Sequence, residues 1–216
     1  MEDRVDREEI YEAVHEELDK LPLRKGKPRY DVPQNGLYFW YEEGEIRQRG
    51  GQRITRVGTH KKTNRLHARI NEHFGSVPRE GSVFRKHLGG ALMRLNGESE
   101  SEVEMWYRKR KGNPHFNDPK FRNYEKQVTD RAKAGSYRVL KVDDPNERLQ
   151  LEEKLIALFS HCKHCRPSEN WLGNYAYRKE ICDSGLWNID HVYSPNEFTQ
   201  SDLPRLKQLV DKTLRE

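Results

Sequence analysis

The sequence predicts an α/β fold: a small, mainly antiparallel three-stranded sheet flanked by helices, with an extra helix at each end of the chain. Three observations predict it. Two aromatic or β-branched runs, at 36–43 and 54–59, lie close together across a polar connection bearing Gly44, Gly50 and Gly51. Several segments between 63 and 160 carry apolar residues at helical spacing and end at capping or breaking residues. A third apolar run, at 137–142, falls between two of those helical segments.

Taken in order, the first element is an amphipathic helix over 6–21, where Ile10, Val14, Leu18 and Leu21 recur amid Glu and Asp. Pro22, Gly26, Pro28 and Pro33 then break the pattern and mark a linker or an ordered loop. The run Leu37-Tyr38-Phe39-Trp40-Tyr41 favours a strand, joined to the second strand as an antiparallel hairpin with a long loop. A helix over 63–74 ends at Gly75, and another over 82–95 stops at Asn96-Gly97. Residues 97–122 read as an insertion that leaves the core. A helix near 121–134, the strand at 137–142 and a helix over 145–160 follow, with Pro145 behind Asp143-Asp144 as a start signal. A terminal helix carries Leu203, Leu206, Val210 and Leu214. The expected organisation is an N-terminal helix and linker (1–33), a central domain (34–193) with the 97–122 insertion, and a C-terminal helix (194–216).

With 216 residues the chain is long enough to bury a proper core. Its 33% hydrophobic content and mean hydropathy of −1.11 leave much of it as solvated surface or binding face. Forty basic residues against 35 acidic ones give a net charge of +5, which suits a nucleic-acid partner without dictating one. No run of about 18 apolar residues exists, so no membrane span is expected. The acidic start lacks the apolar segment of a signal peptide, and three cysteines do not make a disulfide framework. A cytoplasmic setting is the expectation.

Several residues stand out chemically. On the predicted helix 63–74, Arg65, Arg69 and His73 recur at i, i+4 and i+8 along one stripe. Leu66, Ile70 and Phe74 form the adjacent stripe, which would pack on the sheet. The helix at 145–160 is apolar at 149, 151, 155, 156, 158 and 159, yet carries Glu152 and Glu153. A glutamate near such a surface must be paired or hold a metal. Gly36-Leu37-Tyr38 opens the first strand, Arg56-Val57-Gly58 closes the second, and Asn188 ends Ser184-Gly185-Leu186-Trp187-Asn188.

This ordered series resembles the GIY-YIG nuclease superfamily over about residues 36–192. The resemblance implies metal-dependent hydrolysis of DNA phosphodiesters, with Mg2+ or Mn2+ as the cofactor and RNA as the alternative polymer. It implies that Tyr38 positions the attacking water and takes its proton, and that Arg69 contacts the scissile phosphate. His73 becomes an accessory acid, base or hydrogen-bond donor; Glu152 holds the metal; Asn188 orients the phosphate or the hydrated metal. A guanidinium suits phosphate because it holds two oxygens and keeps its charge, and one carboxylate plus waters suits magnesium. The family pattern Glu-x-x-Leu-Ile fits Glu152 better than Glu153, while Asn170 in Ser168-Glu169-Asn170-Trp171 rivals Asn188.

The second motif departs from the family, whose Tyr-Ile-Gly is here Arg56-Val57-Gly58. Arg56 exchanges a phenol for a fixed cation that would favour phenolate at Tyr38 or touch phosphate, with His60 as another proton acceptor. The departure leaves a non-catalytic nucleic-acid-binding protein on the same scaffold as the alternative reading.

Further contacts are expected around this set. Arg65 is a candidate phosphate contact, and Arg85 and His87, in Ser82-Val83-Phe84-Arg85-Lys86-His87, are candidates to reach substrate. Ser82 serves equally as a plain N-cap. Arg108, Lys109, Arg110 and Lys111 follow Trp106-Tyr107, a basic and aromatic mixture suited to tracking a nucleic-acid backbone or to a charged, solvated loop. Cys162 and Cys165 form one Cys-x-x-Cys pair; zinc would require Cys182 and His191 as well, and otherwise these are helix-end residues.

Overall fold

The central strand decides the architecture, because it is apolar on both faces and must therefore be covered on both. In the computed structural model, which describes residues 7–75, 81–109, 111, 113 and 115–215, that is what the helices do. Helix α1 (Arg7–Asp19) precedes strands β1 (Arg24–Lys25), β2 (Gly36–Ile46) and β3 (Gln52–Gly58). Helices α2 (Leu66–Phe74), α3 (Val83–Leu95), α4 (Glu100–Tyr107) and α5 (Pro119–Ala134) lead to strand β4 (Ser136–Lys141). Helices α6 (Pro145–Ser160), α7 (Lys179–Ser184) and α8 (Leu203–Leu214) follow.

The fold is α/β, and the antiparallel sheet has four strands in the order β1-β4-β2-β3, one more than the sequence predicts. The addition is β1, which pairs Arg24 with Tyr137 and Lys25 with Ser136. Two residues between Pro22 and Gly26 offer no alternation by which a strand could be read.

On β2, Leu37, Phe39 and Tyr41 face one core, shared with α1, α6 and α8; Tyr38 and Trp40 face a second, shared with α2, α3, α4 and α5. Both terminal helices thus belong to the first core: Tyr11, Val14 and Leu18 meet Leu206, Leu209 and Val210 there. The segment expected to leave the core instead contributes Val103 and Trp106 of α4 to the second one, and the Trp106 indole donates to the Lys86 carbonyl at 2.8 Å. Its start is fixed by a capping box between Ser99 and Glu102. Asp118 before Pro119 and Asp144 before Pro145 cap α5 and α6 in the same way that Ser82 caps α3.

Two glycines at the start of β2 and the end of β3 answer to close approach. A Cβ on Gly36 would lie 2.0 Å from the Leu140 carbonyl oxygen, and one on Gly58 would lie 2.3 Å from the Tyr38 hydroxyl. The β2–β3 register also slips between Trp40 and Tyr41, where the partners jump from Arg56 to Ile54. The regular register ahead of the slip, with Arg56 opposite Trp40, sets Arg56 on the same face as Tyr38, and the bulge at Thr55 turns Ile54 to the core of Phe39 and Tyr41. Among the described residues, no helix is long and apolar enough to cross a membrane.

Candidate active site

Strand β3 lies at an edge of the sheet, and its outer side opens on a cleft of ≈ 910 Å³. The two helical layers meet here: α2 brings Arg69 from one core, and α6 brings Glu152 from the other. The floor is β3 with the segment 187–191, which runs beside it. Trp187 N–H donates to the Thr55 carbonyl at 2.7 Å. The Asn188 side chain continues the pairing, its Oδ1 accepting from Val57 N–H at 3.1 Å and its Nδ2 donating to the Val57 carbonyl at 2.8 Å. One side-chain amide therefore completes the edge strand's backbone hydrogen bonds, as a neighbouring strand would. Both Trp171 and Trp187 donate their indole N–H to Glu42, which fixes this segment from behind.

Behind the floor lies a polar chain. Arg56 Nε donates to the Tyr38 hydroxyl at 3.1 Å, and Arg56 Nη1 donates to the Trp187 carbonyl at 2.5 Å. The Tyr38 hydroxyl is also 2.7 Å from His73 Nε2, and His73 Nδ1 is 2.9 Å from Ser82 Oγ. Burial, reinforced by the charges of Arg56, Arg69 and Arg85, holds the His73 pKa well below the ordinary imidazole value. The ring is therefore neutral at physiological pH, with one nitrogen donating and the other accepting. Tyr38 is fully buried and does not line the cleft, whereas Arg56 does. That guanidinium couples the tyrosine to the cleft.

The cleft's charges are arranged by element. Arg65, at the N-cap of α2, and Arg69 on α2 share Glu72, which takes Arg65 Nη2 at 2.6 Å on one oxygen and Arg69 Nη1 at 3.0 Å on the other. Lys61 and Lys62, in the loop after β3, extend the basic rim. Glu152 is half-buried and has no ion-pair partner within 4.0 Å among the described residues. Burial raises its pKa above the usual carboxylate value, opposed by the charges of Arg56, His191 and Arg69 and by the Thr59 backbone. The family model for the GIY-YIG domain matches residues 1–216 of the chain. The chain belongs to the GIY-YIG domain family. No curated protein and no solved structure matches it. Membership places this GIY-YIG chain among nuclease-type hydrolases at the superfamily level.

Of the residues singled out from sequence, Arg56, Arg65, Arg69, Glu152 and Asn188 line one cleft, with Tyr38 and His73 immediately behind it. Glu153 points elsewhere: it accepts from Ser194 Oγ at 2.7 Å and is not part of the lining. Asn170 is exposed and outside the lining. Arg85 and His87 do not reach a substrate surface. Arg85 is 1% exposed and donates to the His73 carbonyl, to Glu125 and to Thr129. His87 is buried with Nδ1 3.1 Å from the Tyr107 hydroxyl. The layer formed by α4 and α5 covers both, which the sequence of α3 alone does not reveal. His60 is not a free proton acceptor either: its Nδ1 donates to the Lys62 carbonyl and its Nε2 accepts from Gly36 N–H.

Arg108, Lys109 and Lys111 are exposed and outside the cleft lining; Arg110 lies outside the described residues. Cys162 and Cys165 pack at the first core, and Cys182 at the second, with its thiol donating to the Gly173 and Ala176 carbonyls. No cluster of three or more His, Cys, Asp or Glu side chains suited to a metal occurs among the described residues. The residue chemistry still fits a hard cation at Glu152: an unpaired, partly desolvated carboxylate facing an open cleft, with room for the waters magnesium prefers to keep. Sequence reasoning missed Glu72, Lys61, Lys62, Asp190 and His191 as cleft-lining groups. The signal for Glu72 was present, three residues after Arg69 on the same helix face.

Proposed function

We propose that this GIY-YIG chain is a metal-dependent endonuclease that hydrolyses phosphodiester bonds in DNA. The observation that carries the reading is the unpaired Glu152 carboxylate facing Arg56 and Arg69 across one cleft. A Mg2+ or Mn2+ ion held by Glu152 would supply an activated water and charge neutralisation at the phosphate.

The chain's own residues do the rest. Arg69, and Arg65 beside it, present guanidinium forks to phosphate oxygens, which must first displace Glu72. Arg56 adds a fixed cation at the floor, held in aim by Tyr38 and the Trp187 carbonyl, so it costs little reorganisation as negative charge builds on the phosphoryl group. His73 in its neutral form holds the Tyr38 hydroxyl. In the tautomer whose Nδ1–H donates to Ser82, Nε2 accepts the phenolic proton and the Tyr38 oxygen keeps a lone pair for Arg56. Tyr38 then acts by orienting Arg56. Asn188 anchors the 187–191 segment to β3 and so shapes the floor.

The same hydrogen bond favours a second reading, a nucleic-acid-binding protein that does not cut, because Tyr38 is sealed behind Arg56. One experiment separates the two: supercoiled, linear and branched DNA, and RNA, are incubated with the protein and Mg2+, Mn2+ or EDTA. Metal-dependent nicking or cutting supports the nuclease. Substrates left intact with either metal, but retained by the protein in a binding assay, support the binder.

A further inference from the structure

Residues 24–35 form a strap that the cleft chemistry does not use. It begins in β1, paired at the Ser136 end of β4, and ends at Gly36, paired with Lys141 at the other end of that strand. The strap therefore runs the length of the sheet and finishes beside the cleft. There Asn35 exchanges two hydrogen bonds with Asn64, its Nδ2 donating at 3.0 Å and its Oδ1 accepting from Asn64 N–H at 2.7 Å. The Gln34 carbonyl accepts from Leu66 N–H at 3.0 Å, the first residue of α2. These bonds join the strap to the loop carrying Lys61, Lys62 and Arg65 of the cleft lining.

The strap is anchored at both ends and presents a charged outer surface. Pro28 and Val32 are buried, and Val32 N–H closes a turn on the Arg29 carbonyl at 3.1 Å. At that turn Tyr30 stands out of the surface at 106% relative exposure, the most exposed large hydrophobic side chain among the described residues. Lys25, Lys27 and Arg29 are exposed and have no ion-pair partner among the described residues. Asp31, the acidic residue of the strap, is already neutralised by Arg24. An exposed aromatic ring amid unpaired cations, on a strap whose far end is hydrogen-bonded to the loop of Lys61, Lys62 and Arg65, has the chemistry of a stacking post: cations follow the phosphates while the ring takes a base face.

We propose that the strap at 24–35 binds an unpaired DNA strand leaving the cleft, with Tyr30 stacking on a base and Lys25, Lys27 and Arg29 holding the backbone. The cations do not distinguish duplex from single strand, but a base face is open only when the strand is unpaired. The surface therefore favours DNA with a single-stranded arm, such as a flap or a fork. The path away from the cleft rests on the nuclease reading; the stacking contact does not.

The test measures binding in EDTA, so that no cleavage intervenes. A short duplex and the same duplex with a single-stranded arm are titrated with the full chain, with Tyr30→Ala, and with Lys25→Ala/Lys27→Ala/Arg29→Ala. The parent should prefer the armed DNA, and Tyr30→Ala should weaken that binding about tenfold while leaving the plain duplex unchanged. Tyr30→Trp should keep the preference. The triple variant should lower the salt dependence on armed DNA by about two units, at roughly 0.7 per phosphate on a single strand. An armed substrate containing 5-iododeoxyuridine should photocrosslink to the peptide bearing Tyr30. Equal loss on both DNAs from Tyr30→Ala, no preference in the parent, or crosslinking confined to other peptides overturns the proposal. A protein that binds armed DNA in this way but never cuts with either metal overturns the nuclease reading alone.

Discussion

Arg56 Nε donates to the Tyr38 hydroxyl at 3.1 Å, and this bond places a permanent cation between a buried phenol and the cleft. The residue that departs from the family's second motif is thereby coupled to the tyrosine of the first.

Replacing Arg56 with Met should have two separable effects. The Tyr38 hydroxyl and Trp187 carbonyl each lose a donor, a cost of about 1–3 kcal/mol that urea unfolding would read. Burial raises the Glu152 pKa and Arg56 is the strongest influence opposing it, so without Arg56 that pKa climbs further. The carboxylate then ionises only at higher pH, and the acid limb of the cleavage profile should move upward. Arg56→Tyr, which restores a phenol, should retain more activity than Arg56→Met. Indistinguishable pH profiles for parent and both variants would make Arg56 a bystander.

Glu152→Gln should abolish cleavage while leaving DNA affinity nearly intact, since arginine and lysine contacts to phosphate supply most of the binding. Glu153→Gln should be mild, because Glu153 bonds Ser194 and does not line the cleft. The raised pKa of Glu152 also makes a stability prediction. A carboxyl whose folded pKa exceeds its unfolded value favours the fold most in acid, and that contribution is lost as pH rises through the folded value. Glutamine never ionises, so Glu152→Gln should melt higher than the parent at neutral pH and converge with it in acid. A reversed ranking of the two carboxylates in cleavage assays would move the metal to Glu153.

Glu72→Gln should raise DNA affinity by about two- to tenfold at fixed salt, the scale of the exposed ion pairs it removes. Glu72 now holds both Arg65 and Arg69, and a phosphate must take its place. Fluorescence anisotropy with a cleavage-dead background would read the change. A fall in affinity would mean that Glu72 serves to aim the two arginines and does not compete with substrate.

Replacing Arg108, Lys109, Arg110 and Lys111 with Ala should weaken DNA binding without changing single-turnover cleavage at saturation, because the described members lie outside the cleft lining. Every phosphate that the variant no longer neutralises should flatten the salt dependence by about one unit. An unchanged slope would assign the segment to solvated surface.

Much of the layout is legible in the sequence because local signals agree with the final packing. Asp144-Pro145 and Ser82 mark helix starts through the same hydrogen bonds the structure shows, and the aromatic run at 37–41 forms the central strand. The Arg65–Arg69–His73 stripe resolves into two roles that spacing cannot separate: Arg65 and Arg69 face the cleft, while His73 turns inward to Tyr38. Illegible features are those created by long-range cover. Arg85 and His87 read as candidates to reach substrate until α4 and α5 close over them, and α4 itself reads as part of an insertion. Asn188 stands out by family resemblance, but its bonds to Val57 depend on a partner 131 positions away.

Arg69 and Glu152 hang from opposite layers, each stabilised by its own hydrophobic core, and they meet only over the outer edge of β3. Neither layer holds the pair alone. A chain that has folded one side of the sheet, whether newly synthesised or partly melted, lacks the juxtaposition of cation and carboxylate on which the proposed cleavage would draw. Loss of either core should therefore separate the two groups well before the chain is fully unfolded.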